Sequence, residues 1–204
     1  MHSYGVPATA QHMLARTLRR WVWHWSAADR DALCTALWRS GLQEQGAIVC
    51  YLYRHFAGEC GEREFRLFTN WLDRYVHNWA HTNGLALRLL GASLANEPGL
   101  MEELSAWTVS PNRWKRRAAA VSLVPSARKG LHTAAIFQIA EPLLPDPDEM
   151  VQKGCGLLLK ETYPRRPLQL MRFLLPRRLH ASRLLLRYAA EKMTEQDRAR
   201  LLAR

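Results

Sequence analysis

Four segments of the chain begin alike: Gln45-GAIVCYL, Asn83-GLALRLL, Arg117-AAAVSLV and Lys153-GCGLLLK. Each sets a polar residue ahead of small residues and then a leucine-rich or valine-rich run. Successive leaders lie 38, 34 and 36 residues apart. That period marks a two-helix repeat unit, near the roughly 40 residues of HEAT and armadillo repeats. One repeat cannot bury its own apolar face, so the copies must stack, and small residues early in each helix let neighbours approach closely. Arg183-LLLRYAA reads as a fifth, terminal copy at a poorer offset of 30. The spacing predicts an all-α solenoid of HEAT-like or armadillo-like repeats with a concave basic groove, one domain over 1–204. The helices opening near Gln45, Asn83, Arg117 and Lys153 should stand side by side, with their polar leaders along one concave edge. On this reading Arg117 is charged because it faces the groove rather than the core.

The rest of the chain agrees with helices. No stretch alternates as a strand would, and apolar residues recur at i, i+3 and i+4 between short Pro, Gly and Asn breaks. ADRDALCTALWRS runs into Gly41, a helix stop. REFRLFTNWLDRYV gathers Phe65, Phe68, Trp71, Leu72 and Tyr75 on one side. In the second half, Pro111, Pro125, Pro142, Pro145, Pro147, Pro164, Pro167 and Pro176 fall at helix starts and turns.

Charge narrows the partners. Residues 1–110 hold 10 Lys+Arg and 10 Asp+Glu, whereas residues 111–204 hold 19 and 8 and so carry the whole +11. Such asymmetry points to nucleic acid or an anionic surface, against the plainer reading of an arginine-rich soluble chain. Cys34, Cys50, Cys60 and Cys155 show no CxxC spacing and read as reduced thiols of a cytosolic protein. The start has no apolar signal segment, and no apolar run approaches about 20 residues, so no membrane span is expected.

The basic half opens on NRWKRRAAAVSL, where Arg113, Lys115, Arg116 and Arg117 surround Trp114 at a helix start. The macrodipole disfavours cations there, so either the charge is merely solvated or something anionic sits at that helix end. Two leaders follow a tryptophan: Trp79 precedes Asn83 at i, i+4, and Trp114 precedes Arg117 at i, i+3, each pair on one helix face. An aromatic face beside a cation, aimed at a groove, suits a phosphodiester backbone and a cationic or sugar-like group. Core packing of both tryptophans is the competing role. His77 and His81 have zinc-pair spacing, but no HExxH pattern or third ligand accompanies them. A solvent-facing or cleft-facing pair is expected, with His81 able to reach phosphate and no metal. Arg165, Arg166, Arg177, Arg178, Arg183 and Arg187 either extend the basic footprint or cover helix ends.

The ordered segments YGVPATAQHMLARTL, LWRSGLQEQGAIVCYLYRHF, VHNWAHTNGLALRLLG, SPNRWKRRAAAVSL and DEMVQKGCGLLLKETYP cover most of the chain. Together they resemble the DNA alkylation repair glycosylases of the AlkD type. The resemblance implies a HEAT-like fold, double-stranded DNA with alkylated or distorted bases as partner, no cofactor, and base-excision repair. It places a tryptophan at Trp79 and a catalytic aspartate at the position of Asn83. It implies a tryptophan at Trp114 and an arginine that grips backbone phosphate at Arg117; by their charge and position Lys153, Arg113, Arg116 and His81 are expected as further DNA contacts. A further cleft aromatic of the family falls on Leu157, where this chain has none, and the helical pair that opens family members is expected to be missing. The implied chemistry is hydrolysis of the N-glycosidic bond of an N3- or N7-alkylated purine, a cationic leaving group, without everting the base. There a carboxylate steadies the oxocarbenium-like sugar and positions water. Asn83 is neutral and offers no such charge. Asp73 and Glu44 are the carboxylates to consider as substitutes. A monomeric glycosylase, a non-catalytic binder of damaged or branched DNA, and a HEAT-type protein scaffold are the three readings. The basic half and the Trp pairs speak against the scaffold.

Overall fold

The structure, a computed structural model, describes residues 2–203. Among them are α1 (Ala8–Val22), α2 (Ala27–Arg39), α3 (Gln43–Tyr53), α4 (Glu62–Tyr75), α5 (Trp79–Leu85), α6 (Gly91–Asn96), α7 (Glu103–Trp107), α8 (Arg113–Val121), α9 (Val124–Lys129), α10 (Thr133–Leu143), α11 (Glu149–Thr162), α12 (Pro167–Leu174), α13 (Arg183–Ala189) and α14 (Glu195–Leu202). A π-helical segment, Ala86–Leu90, joins α5 to α6, and short 3-10 turns fill several other joints. No strand occurs among the described residues; an isolated bridge between His2 and Leu42 is the nearest thing to one. The fold is all-helical and repetitive, as the sequence pattern predicts.

Helix starts mark the repeat more evenly than the polar leaders do. Gln43, Trp79, Arg113, Glu149 and Arg183 open successive helices 36, 34, 36 and 34 residues apart. The last four are each preceded by a residue whose side chain accepts from the first-turn amides: Asn78, Asn112, Asp148 and Ser182. Those caps satisfy donors a helix start otherwise leaves orphaned. Measured from the helix start, the fifth repeat is in register, and its equivalent of Asn83, Arg117 and Lys153 is Arg187 rather than Arg183. α3 has no side-chain cap; instead Gln43 N–H donates to His2 O at 3.0 Å, and Glu44 accepts from Ser3 Oγ and Val6 N–H.

Packing divides the chain into two compact units, Met1–Asn96 and Glu97–Arg204. In the first, α1 lies on α3, α3 on α5, and α2 and α4 back them. Its core is aromatic: Trp38, Tyr53, Phe56, Phe68 and Trp71 are buried in mutual ring contact. In the second, α8 lies on α11 and α11 on α13, with α7, α10 and α12 alongside. Its core is built of smaller side chains, including the fully buried Ala118, Ala119 and Ala120.

The stacking within each unit runs through glycines. A Cβ on Gly46 of α3 would stand 2.5 Å from the Trp38 ring and 2.7 Å from His81 Nε2 of α5. One on Gly84 of α5 would stand 3.0 Å from Cys50 Sγ of α3. In the second unit, Gly154 of α11 receives the stem of Arg117 from α8, and Gly156 receives Tyr188 of α13. The glycines after Gln45, Asn83 and Lys153 are therefore contact points between neighbouring repeats. Gly46→Ala should lower stability by about 1–3 kcal/mol, the usual cost of overpacking against rings that cannot retreat. Gly58→Ala, with open space around its Cβ, should change little; denaturant midpoints of the two variants check the contrast.

Candidate nucleic-acid interface

In the first unit the site is built on the start of α5. Asn78 caps the helix by accepting from His81 N–H at 2.8 Å. Its amide nitrogen lies 3.1 Å from His81 Nδ1, while His81 Nε2 lies 2.9 Å from Gln43 O. A carbonyl only accepts, so Nε2 carries the proton and Nδ1 accepts from Asn78: the imidazole is neutral. Burial holds its pKa below the ordinary value, outweighing the Gln43 hydrogen bond and the Glu44 carboxylate, which pull the other way. Trp79, the first residue of the helix, is 56% exposed. Asn83 lies one turn further along the same strip and is half-buried.

Beside that strip lies a cavity of about 250 Å³, lined among others by Gln11, Gln43, Tyr51, His81 and Arg88. His12 stacks on Tyr51 with ring centroids 3.6 Å apart, and the Arg88 guanidinium lies 5.1 Å from the Tyr51 ring centre. Burial pushes the Cys50 thiol at its wall up to about 12, against the pull of Arg88. The cavity thus offers a cation, a phenol, amides and a neutral imidazole, and no carboxylate lines it. Glu44 is spoken for: the Ser3 hydroxyl holds its carboxyl down to about 2, and Val6 N–H adds a second hydrogen bond. Asp73 sits on the exposed side of α4.

In the second unit the cations at the start of α8 meet acids of the same chain. Arg116 binds Asp146 through two nitrogens at 2.7 and 3.2 Å, and its third donates to Ser110 O at 2.8 Å. Arg113 lies 4.5 Å over the Trp114 ring and reaches Asp148 at 3.3 Å. Asp148 is also the cap of α11; burial works against its charge, but Met150 and Val151 N–H and Arg113 keep its pKa low. The anionic group that the helix start calls for is therefore the Asp146–Asp148 loop, which ties α8 to α11.

The sequence profile of the DNA alkylation repair enzyme family matches residues 1–193. The chain belongs to this family. The solved structure of a predicted DNA alkylation repair enzyme from Enterococcus faecalis has the same fold, with a TM-score of 0.82. The two share 16% identity over 94% of this chain and 88% of that one. None of the curated proteins matches the chain.

Within this family member the expected site residues fall into two groups. Trp79, Asn83, Arg113 and Lys153 keep some exposure, Lys153 sharing an exposed pair with Glu149 at 3.3 Å. Arg117, Trp114, Arg116 and His81 do not lie as expected. Arg117 is 5% exposed, its guanidinium donates to Met150 O, and burial lowers its pKa to about 10. It faces α11 rather than an open groove, because Gly154 leaves room there for its stem. Trp114 is 8% exposed and packs as core, Arg116 is bound to Asp146, and His81 is buried and neutral rather than facing solvent or phosphate. Of the C-terminal arginines, Arg165 and Arg166 hydrogen-bond the carbonyls of Arg128 and Gly130. Arg177 bonds Glu141 and Phe173 O, and Arg183 bonds Leu202 O. These four cover helix ends and turns, while Arg187 stays exposed. Tyr51, His12 and Arg88 escape sequence reasoning, because only packing brings them together. Among the described residues no three His, Cys, Asp or Glu side chains converge as a metal site would require, and no helix is long and apolar enough to cross a membrane.

His81 gives the site a pH signature. Its folded pKa lies below the unfolded value of about 6.5, so the stabilisation it lends is present above that pH and is lost as pH falls below it. His55, also lowered by burial and nearby cations, adds in the same direction. Stability measured by denaturant between about pH 7 and 5 should fall with acid. The His81→Asn variant should show a shallower fall, and an unchanged slope would mean that His81 is not the buried neutral group described.

Proposed function

We propose that the protein recognises double-stranded DNA carrying N3- or N7-alkylated purines and promotes hydrolysis of their N-glycosidic bond, in base-excision repair. On this reading it acts as a monomer in the cytosol, as one HEAT-like repeat domain. The observation that carries the reading is the exposed Trp79 with Asn83 one turn on, at the clamped start of α5, in a chain that belongs to the alkylation repair family. An alkylated purine is cationic, and an exposed indole face attracts such a ring by cation–π interaction. Its leaving ability is built into the substrate, so the protein needs chiefly to hold the sugar and to orient water. The Asn83 amide can orient water by hydrogen bonding but lends no charge to the developing cation. Arg113 and Lys153 are suited to contact phosphate, because their partners are partly exposed acids, and such pairs are weak and readily exchanged.

A second reading, a non-catalytic binder of damaged or branched DNA, is favoured by one feature: no carboxylate lines the cavity beside α5, and Glu44 is bound to Ser3 and Val6. The two readings separate by measuring free 7-methylguanine released from methylated duplex DNA. Slow release by the wild type, raised by about 10²-fold in Asn83→Asp, is the expected outcome, since one preorganised electrostatic group has about that worth. Adding Trp79→Ala should remove much of the gain. No release from either protein, with duplex binding intact, would establish the non-catalytic reading. Duplex affinity should fall steeply with salt as counterion release weakens, and Arg113→Ala should reduce the slope by about one. Affinity indifferent to salt would remove the backbone contacts from the proposal.

A further inference from the structure

The first unit carries a second surface that the alkylation chemistry does not use. The first 28 residues contain no Asp or Glu, yet α1 presents Arg16, Arg19 and Arg20 within five positions. Its buried stripe, Gln11, Ala15 and Val22, faces inward. Arg16 and Arg20 are exposed and have no acidic partner among the described residues. Arg19 lies 4.7 Å over the Trp23 ring, and Trp23 in turn stacks on Phe56 at 5.6 Å, so one indole is fixed in place while still 46% exposed. These arginines, Trp23 and His24 line an open basin of about 400 Å³. Trp21, the residue after Arg20, is 70% exposed and makes no ring contact among the described residues. His55, on the turn after α3, has its pKa lowered by burial first and then by Arg19, Arg54, Arg16 and His12. Positive charge is thus concentrated at this end of the unit without compensation.

We propose that the end of α1 is a binding site for an unpaired polynucleotide strand, its phosphates held by Arg16 and Arg20 and a base stacked on Trp21. Two features select this occupant. Unpartnered guanidinium groups call for a polyanion, which argues against an apolar or basic protein partner. The flat, exposed indole of Trp21 beside them matches an unpaired base, whose faces are open, whereas a duplex keeps its base faces stacked inside. Sequence preference is not expected, because every base has a face to stack and nothing in the basin reads a base edge. The site lies on α1 and needs neither Trp79 nor Asn83, so it stands independently of the proposed repair activity.

The test is a fluorescence-anisotropy titration of the full chain with end-labelled oligo(dT), oligo(U) and blunt duplex, each about 15 nucleotides long, near the upper site size of such surfaces. Oligo(dT) or oligo(U) should bind and quench tryptophan fluorescence, and whichever binds tighter names the source as DNA or RNA. Trp21→Ala should weaken strand binding roughly tenfold, the usual worth of one stacked base. Arg20→Ala should weaken it and reduce the salt slope by about 0.7, the value for one single-strand phosphate. Both side chains are exposed, and unchanged denaturation midpoints would exclude loss of fold as the cause. Blunt duplex binding and 7-methylguanine release should be indifferent to both substitutions. Absence of strand binding, or strand binding indifferent to both substitutions, would overturn the proposal. Equal weakening of duplex binding would overturn it too, in favour of a plain phosphate patch. So would wild-type binding to phosphatidylserine vesicles, lost in the same variants, without strand binding. Failure of base release with strand binding intact would count against the repair reading alone.

Discussion

Close approach of repeat-opening helices is the constraint on which everything else in the structure rests. Gly46 and Gly84 bring α3 and α5 together, and Gly154 and Gly156 bring α11 against α8 and α13. Without Cβ atoms at those points the helices settle at a distance that side chains alone would not permit. Two of the side chains that fill the space are polar: His81 against Gly46, Arg117 against Gly154. Each is then obliged to find a backbone carbonyl, Gln43 O for one and Met150 O for the other. A buried polar group without such a partner would be costly, so the glycines and the hydrogen bonds come as a set. At these two points the seam between helices is polar because it is tight.

The same economy governs charge. The net +11 suggests a large reserve of free cations. Much of the positive charge in the second unit is instead engaged: Arg116 with Asp146, Arg128 and Lys192 with Glu161, Lys160 with Glu191, and several arginines with helix-end carbonyls. Arginine suits this role, since one planar fork can bind a carboxylate and a carbonyl together. What a partner can reach is therefore a small subset, which in the first unit includes Arg16 and Arg20 of α1, a helix without Asp or Glu.

Fold class and repeat period were legible because burial imposes a rhythm on leucine and small residues that survives without coordinates. The better marker, the capping residues Asn78, Asn112, Asp148 and Ser182, was also in the sequence. It is masked because the first repeat lacks a side-chain cap and the apolar runs carry a second, less even period. Exposure of single residues was not legible. Arg117 and Arg113 look alike in NRWKRR, yet one lies against a glycine of the next repeat and the other lies over an indole at the surface. The difference is set by Gly154, 37 residues away in the chain. The basic end of α1 was hidden by averaging, since the acids of later helices cancel its arginines over residues 1–110. Asp146 and Asp148 were hidden for the opposite reason: a Pro-Asp-Pro-Asp stretch reads as a turn, and only packing shows that it answers the cations of α8.

The π-helical segment Ala86–Leu90 has an effect beyond its own turn. A π turn places one more residue in a turn than an α turn does, so the helix beyond it is rotated by about 100° relative to an unbroken one. Upstream, Trp79 and Asn83 keep one heading; downstream, the fully buried Leu94 of α6 takes its own from the core. The two ends of one continuous rod are in this sense geared separately. Substitution at the outward-facing end need not be negotiated with the packing of the other, which leaves the chemistry of that face open to drift while the scaffold stays fixed. Asn83, on the outward-facing end, is a residue whose replacement such gearing tolerates.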